Sequence, residues 1–440
     1  MLEQVRELFG KHGIQRVKLG AFDIDCTLRG KYISLDKFWT AAEAGVGFCD
    51  VIFGWDIADV LYDNAKVTGW HTGFPDATTR IDLASFRPIP WEPGTAFFLL
   101  DFVNVAAIAP RQVLQRVIGT AGGYRASFSA EYEFFFFRET PESLREKHYR
   151  GLTPLSPGAF GYSVLRASEN QQLALDLFEQ LAGFGIPLEG LHTETGPGVY
   201  EAAIAVDDAL AAADKAALFK TAVKEIASRH GVTPTFMAKW SADLPGSSGH
   251  LHQSLWDAEG RRNLFSDGAG GMSAVMRHYI GGLVANLPDL AAVFCPTVNS
   301  YKRTVPGAWA PINATWGVDN RTTAIRAIPG GAKSTRVELR LTGADINPYL
   351  AMAASLAAGL DGVERESPPP APVVNAYCGE ATPLPRTLAD ATARFRSSQV
   401  ARRWLGDEFV EHYAGTREWE SRQFDKAVTD WELARYFESI

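Results

Sequence analysis

The sequence predicts an α+β protein in two parts, and three observations carry that reading. At 440 residues the chain exceeds the size at which one hydrophobic core keeps growing, so two domains, or a large domain with a smaller one, are expected. From Val17 to about Val105, short strand-like runs alternate with Gly, Pro and Asp. Beyond Pro110 the units lengthen into strands and full-length helices.

The elements follow in order. MLEQVRELFGKHG is an amphipathic helix stopped at His12-Gly13. VKLGAFDID and TAFFLLDFV are strands, and FRPIPWEPG, from Phe86 to Gly94, is a rigid extended connector. Then come a helix at RQVLQRVIG, a strand at SAEYEFFFF, and helices at NQQLALDLFEQLAGFG and DDALAAADKAALFKTAVKEIASRHG. The last of these ends on Arg229-His230-Gly231, with basic residues in its final turn and Gly at its stop. GHLHQSLW and RVELRL are further strands, Pro368–Pro372 is a stiff loop, and Arg394–Ile440 is a packed helical close.

Composition narrows the function. A 46% hydrophobic and 21% charged chain is expected to be globular. A net charge of -8 with no basic stripe among aromatics argues against a nucleic-acid partner. Cys26, Cys49, Cys295 and Cys378 form no CxxC pair, which fits reduced cytoplasmic thiols better than a disulfide frame or a zinc site. No apolar run reaches the roughly 18 residues of a membrane span, since Asp101 and Asn104 interrupt TAFFLLDFVNVAAIAP. The N-terminus has no signal-peptide core, and a cytoplasmic protein is expected.

Four short strands carry polar faces. A strand alternates its sides, so Glu131 and Glu133 share one face of SAEYEFFFF and Tyr132 and Phe134 the other. Two acids beside an apolar quartet call for positive charge, unless the strand lies at an edge with its acids in water. In EGLHTETGPGVYEAAI the Gly196-Pro197-Gly198 break puts Glu194 and Glu201 on two segments folded back on each other, with His192 on the face of Glu194. GSSGHLHQSL aligns His250, His252 and Ser254, and STRVELRL aligns Arg336, Glu338 and Arg340. Pooled, five carboxylates and a histidine suit hard divalent ions, Mg²⁺ or Mn²⁺, rather than zinc.

Between Asn299 and Arg326 the chain gathers Lys302, Arg303, Arg321 and Arg326 against one acid, Asp319, with Trp309 after Pro306-Gly307. Cations among turn residues await an anion, and metal-bound carboxylates beside Arg and Lys are what phosphoryl transfer from a nucleotide needs.

These motifs, taken with DATTRIDLASFRPIPWEPGTAFFLLD before them and NPYLAMAASLAAGLDG after, occur in the order of the glutamine synthetase family, which the chain resembles from about Asp23 onward. The resemblance implies an N-terminal β-grasp domain (1–105) and a catalytic domain (106–440) whose antiparallel strands form a funnel with helices outside. It implies ATP-dependent phosphorylation of the γ-carboxylate of L-glutamate, then attack by an amine on the acyl phosphate. Matched residue by residue, Glu133, Glu194 and Glu201 are implied ligands of one ion, and Glu131, His250 and Glu338 of a second, within a site of two to three. Arg303, Arg321 and Arg340 are implied to grip glutamate and the transferring phosphoryl group, with Arg303 and Arg321 in catalytic roles. His252, Ser254, Arg326 and Arg336 are implied to lie near ATP.

The family's inter-subunit sites imply a ring, two stacked hexamers, in which Asp50 on a neighbouring subunit is the implied counterpart of an acid at the ammonium site.

The departures set the expected substrate. In ammonia-using members a Glu stands where PGAWAP has Trp309, and an indole has no acceptor for a proton. Its face offers apolar area and a cation-π surface. A γ-glutamyl-amide ligase acting on an organic amine is therefore expected, with an apolar or aromatic monoamine favoured. A polyamine, ammonia itself, or an inactive structural relative are the competing readings. Val199 stands where Gln is usual, Gly249 stands where Met is usual, and no adenylylation motif is evident.

Overall fold

The computed structural model describes residues 1–305, 307–376 and 381–440, so Pro306 and Cys378 lie outside the described residues. The α+β arrangement expected above is found. The first sheet contains β1 (Arg16–Phe22), β2 (Leu28–Ser34), β3 (Val46–Cys49), β4 (Asp76–Ile81), β5 (Arg87–Pro88) and β6 (Thr95–Phe102). Its order is β2-β1-β6-β4-β3, with β5 paired to β6. β1 runs parallel to β6 and its other pairings are antiparallel, the pattern of a β-grasp. The helices Leu2–His12 and Leu35–Ala44 cover it, with Phe38 lying 5.1 Å from Phe9 and 4.9 Å from Phe98. Gly13 closes the first helix in the left-handed conformation expected of a glycine stop. FRPIPWEPG is more than a connector, because Arg87 and Pro88 join the ladder.

The second sheet contains β7 (Arg125–Phe137), β8 (Leu188–Thr193), β9 (Val199–Ile204), β10 (Asp207–Asp208), β11 (Thr233–Thr235), β12 (Gly249–Trp256), β13 (Trp316–Val318), β14 (Ile325–Ile328) and β15 (Arg336–Leu339). The order β13-β14-β15-β12-β7-β9-β8 puts β7 in the interior, between β12 and β9, with β10 and β11 also pairing to it. This overturns the edge-strand reading of SAEYEFFFF: its acids face a site, not open water. The apolar side of β7 rests on the helix Ala209–Arg229, where Tyr132 stacks on Phe219 at 5.8 Å.

Two long helices, Ala274–Phe294 and Pro348–Glu364, pack against each other and are missed by periodicity, because the second is buried on every side through Gly362 and the first has only scattered exposed positions, Ala274, Arg277 and Ala285, rather than a polar face. The expected helical close is found through Lys426, but Trp431, on the helix Asp430–Tyr436, and Phe437, just beyond it, are exposed. Asn347 Nδ2 donates to Asp23 O and Ile24 O at 3.1 Å each, and Arg417 pairs with Asp25 at 2.6 Å, tying the first sheet's β1–β2 turn to the rest of the chain.

At Gly249, where the family pattern has Met, the backbone of Gly343 comes close. A Cβ there would lie 2.4 Å from the carbonyl oxygen of Gly343, a backbone atom that cannot rotate away. Gly249→Ala is expected to lower stability by roughly 1–3 kcal/mol in urea denaturation; an unchanged midpoint would mean that the backbone at Gly343, bridged to Ser248, yields freely.

Candidate active site

Strand register, which no local pattern encodes, assembles the polar faces. β7 lies between β12 and β9, so His250 stands opposite Glu131 and Glu201 opposite Glu133. β15 pairs with β12 and β14, placing His252 and Arg326 opposite Glu338. β8 folds back on β9 as expected, placing His192 opposite Glu201.

Two acidic groups result. In one, ligand atoms of Glu131, His252 and Glu338 lie within 4.8 Å of one another. His250 adjoins them, its Nδ1 being 3.3 Å from Glu338 Oε1 and 4.0 Å from Glu131 Oε2. His252 differs from His250 in its commitments. Its Nδ1 accepts from Arg336 Nε at 3.1 Å while its Nε2 lies 3.2 Å from Glu131. Burial, then Arg340 and Arg303, push the His250 ring well below its ordinary pKa, so it is neutral. Its buried Nε2 has no hydrogen-bond partner among the described residues. Burial would raise the Glu131 carboxyl, but His252, Arg340 and Arg336 outweigh it and hold the group below its usual range.

In the second group, ligand atoms of His192, Glu194 and Glu201 lie within 4.8 Å of one another. His192 reaches both acids, at 3.6 Å and 3.4 Å, and Glu201 chiefly raises its pKa. Glu133 borders this group. Its Oε2 accepts the Ser248 N–H at 2.8 Å, yet burial and the charge of Glu201 push its carboxyl up to about 7. Like charges directly across strands are unfavourable, and burial amplifies the effect.

The arginines turn out differently from a set of free cations. Buried Arg303 donates to Leu341 O and Ser248 Oγ, both at 2.9 Å. Arg326 bridges Asp319 at 2.9 Å and Glu338 at 3.0 Å. Arg340 donates to Glu338 and, at 3.0 Å, to the carbonyl of Arg321. Lys302 lies 5.3 Å from the Phe424 ring, where a cation-π contact occupies it. Arg321 is exposed. The low-dielectric interior explains the pairing: a buried guanidinium without acceptors would be costly, so these side chains are held in place by protein groups.

A cavity of about 650 Å³ adjoins the first acidic group, lined by Glu131, His252, Ser254, Trp256, Lys333 and Arg336 among others. It brings together three of the four residues expected near a nucleotide; Arg326 lies beside them at Glu338. Lys333 and Trp256 were missed by sequence reasoning, although the GGAKST run just before β15 was a signal for Lys333. Also missed was Tyr162, whose ring stacks on His192 at 4.4 Å in a turn where Tyr162 has φ 54°.

Trp309 is 65% exposed, at φ 57°, in the segment between Arg303 and β13. A bulky residue in the left-handed region is strained by roughly 1–3 kcal/mol, and such strain persists only where the surrounding structure holds the conformation. Asp50 does not join the site within one chain. It is buried at the end of β3, its carboxylate accepting from Thr68 Oγ1 at 2.7 Å.

Comparison with known proteins gives a concordant picture. Residues 107–436 match the glutamine synthetase catalytic domain. Type-1 glutamine synthetase 2 of Dictyostelium discoideum is 48% identical over 96% of the chain and 84% of the relative. Glutamate–isopropylamine ligase of a Pseudomonas species is 40% identical over 99% and 98%. γ-Glutamylethanolamide synthetase of Streptomyces coelicolor is 39% identical over 100% and 96%. Among solved structures, GmaS in complex with ADP superposes with a TM-score of 0.85 at 29% identity, covering 98% of each chain.

Proposed function

This chain belongs to the glutamine synthetase family and is an ATP-dependent ligase acting on glutamate, and from that premise we propose that its acceptor is an organic amine rather than ammonia. The observation that carries the reading is Trp309, exposed and strained where ammonia-using members carry a Glu. The relatives named for isopropylamine and ethanolamine support it, and a small, largely apolar monoamine is the substrate we favour. The ammonia reading draws on the Dictyostelium relative, and it needs another acid to take the proton that an indole cannot.

The family uses ATP and divalent ions. The residues present fit such ions: oxygen-rich groups on facing strands, with a neutral buried histidine whose nitrogen lacks a partner among the described residues. In our reading Glu133, Glu194 and Glu201 hold one ion, Glu131, His250 and Glu338 another, and His252 is an alternative donor to the second. Such ions supply positive charge to carboxylate and phosphate oxygens. The remaining steps belong to the chain. Arg321 and Arg340 bind and orient glutamate and phosphoryl oxygens, and Arg303, which donates to Leu341 O and Ser248 Oγ, positions the segments that follow β15 and precede β12. His252, Ser254 and Arg336 line the nucleotide cavity. The γ-carboxylate displaces ADP to give γ-glutamyl phosphate; the neutral amine then attacks the acyl carbon, expelling phosphate. An alkylamine, with a pKa of about 10, must first shed a proton, so a site without a base at position 309 favours amines that arrive neutral or lose the proton to solvent.

We assign residues 1–105 and 106–440 as its two domains, and an assembly of stacked rings in which Asp50 serves a neighbour's site, its buried hydroxyl partner Thr68 fixing its direction.

Phosphate release with ATP, Mg²⁺ and glutamate, compared across ammonium, alkylamines, ethanolamine, polyamines and anilines with products weighed by mass spectrometry, tests the reading. One amine class is expected to give a γ-glutamyl-amide with ammonium poor; efficient glutamine formation from ammonium alone would refute it.

Ion binding is expected to depend on pH. The Glu133 carboxyl, raised to about 7 by burial and Glu201, must lose its proton before it can hold a cation. Mg²⁺ affinity should therefore fall about tenfold from pH 8 to pH 6, measured calorimetrically, and Glu133→Gln should flatten that dependence.

A further inference from the structure

Away from the site strands, the segment Tyr62–Val67 and the helix Asp407–Lys426 enclose a cavity of about 200 Å³ lined by Tyr62, Asn64, Lys66, Glu411, His412 and Thr416 among others. Three of its lining side chains each hold a buried polar atom with no hydrogen-bond partner among the described residues: Tyr62 Oη, Asn64 Oδ1 and His412 Nε2. Tyr62 is 6% exposed and His412 7%. Most buried polar atoms in native proteins find a partner in protein, ligand or ordered water, and the gathering of three around one hole points to an occupant.

The chemistry of the three atoms describes it. Asn64 Nδ2 already donates to Gly415 O at 2.9 Å, which leaves Oδ1 as an acceptor. The Tyr62 ring is held edge-on against Trp419 at 5.9 Å, and its hydroxyl is free to donate. His412 is neutral, its pKa lowered to about 4 by burial and Arg417, so the imidazole offers one N–H and one lone pair. Glu411 is already held by Arg402 at 2.6 Å, while Glu408 and Lys66, which also line the cavity, are exposed side chains. The volume is several times a water's share of about 30 Å³, and the rest of the wall includes Ala65 and Val67.

We propose that this cavity binds a small uncharged molecule bearing a primary carboxamide, whose carbonyl accepts from the Tyr62 hydroxyl, whose two N–H bonds donate to Asn64 Oδ1 and His412 Nε2, and whose apolar remainder meets Ala65 and Val67. A charged analogue would have to leave water to reach Tyr62 Oη, Asn64 Oδ1 and His412 Nε2, none of which carries a charge to offset that cost. An occupant joins Asn64–Val67 to the Asp407–Lys426 helix immediately before Thr68, the residue that holds Asp50, so it steadies that strap. Nothing in this depends on which amine the enzyme uses.

The test uses the full-length protein and propionamide as probe, followed by saturation-transfer NMR and by a crystal soak, with propionate and propylammonium as charged controls. Ala65→Leu, which narrows the cavity, separates this site from the active site, and Tyr62→Phe removes one hydrogen bond with little change of shape. Propionamide is expected in the cavity of the wild type, about tenfold weaker in Tyr62→Phe, absent from it in Ala65→Leu, and not matched there by either control. Density for ordered waters alone in the presence of propionamide, or equal occupancy by all three probes, would overturn the proposal. Should Ala65→Leu fail to fold, the wild-type soak and Tyr62→Phe decide it.

Discussion

Glu338→Ala is expected to reduce glutamate- and amine-dependent phosphate release on the order of a thousandfold and to destabilise the fold by roughly 3–5 kcal/mol. Glu338 is 1% exposed and receives Arg326 at 3.0 Å, Arg340, and the ring of His250 at 3.3 Å. Its removal leaves two guanidinium groups facing each other in a low-dielectric interior, and an uncompensated buried charge costs far more than the pair is worth. Glu133→Gln is the contrast. It should abolish activity comparably while leaving the metal-free protein as stable or more so, because Glu133 faces Glu201 across the strands and the amide keeps an acceptor for Ser248 N–H. Denaturant unfolding of both variants in chelator decides this: equal loss of stability in the two would mean that the acidic groups are not held by opposite electrostatics.

Trp309→Glu is expected to raise kcat/KM for ammonium by roughly a hundredfold or more and to lower it for the preferred amine, since a positioned general base contributes about 10²–10⁴. Trp309 exposes 65% of its surface from a left-handed backbone conformation, so the substitution changes chemistry at an exposed position and opens no core cavity. Trp309→Phe, keeping an aromatic face, should retain the amine preference. Unchanged selectivity in the Glu variant would put the acceptor pocket elsewhere, the Tyr162–His192 stack beside Glu194 and Glu201 being the next place to look.

What could be read in advance divides along a physical line. Strand faces are local: alternation at period two aligned Glu131 with Glu133, His250 with His252, and Arg336 with Glu338, while Gln253 on the opposite face turned inward to Tyr279 and Ser355. The hairpin across Gly196–Gly198 was equally legible from its turn residues. The two long apolar helices were not, because burial leaves neither a continuous polar face, and Arg303 and Arg326 looked like waiting cations because Leu341 O, Ser248 Oγ and Glu338 come from segments outside Asn299–Arg326.

The sequence by itself determined which residue types stand on each polar face, that they suit hard cations and phosphates, and that position 309 cannot take a proton. Only the tertiary structure decided which faces meet: β7 between β12 and β9 sets Glu133 against Glu201, brings both histidines to Glu131 and Glu338, and leaves Asp50 outside the site of its own chain. The reason is that side-chain alternation is fixed by one strand's own geometry, whereas register and sheet order depend on pairings between segments far apart in the chain, which no local pattern records.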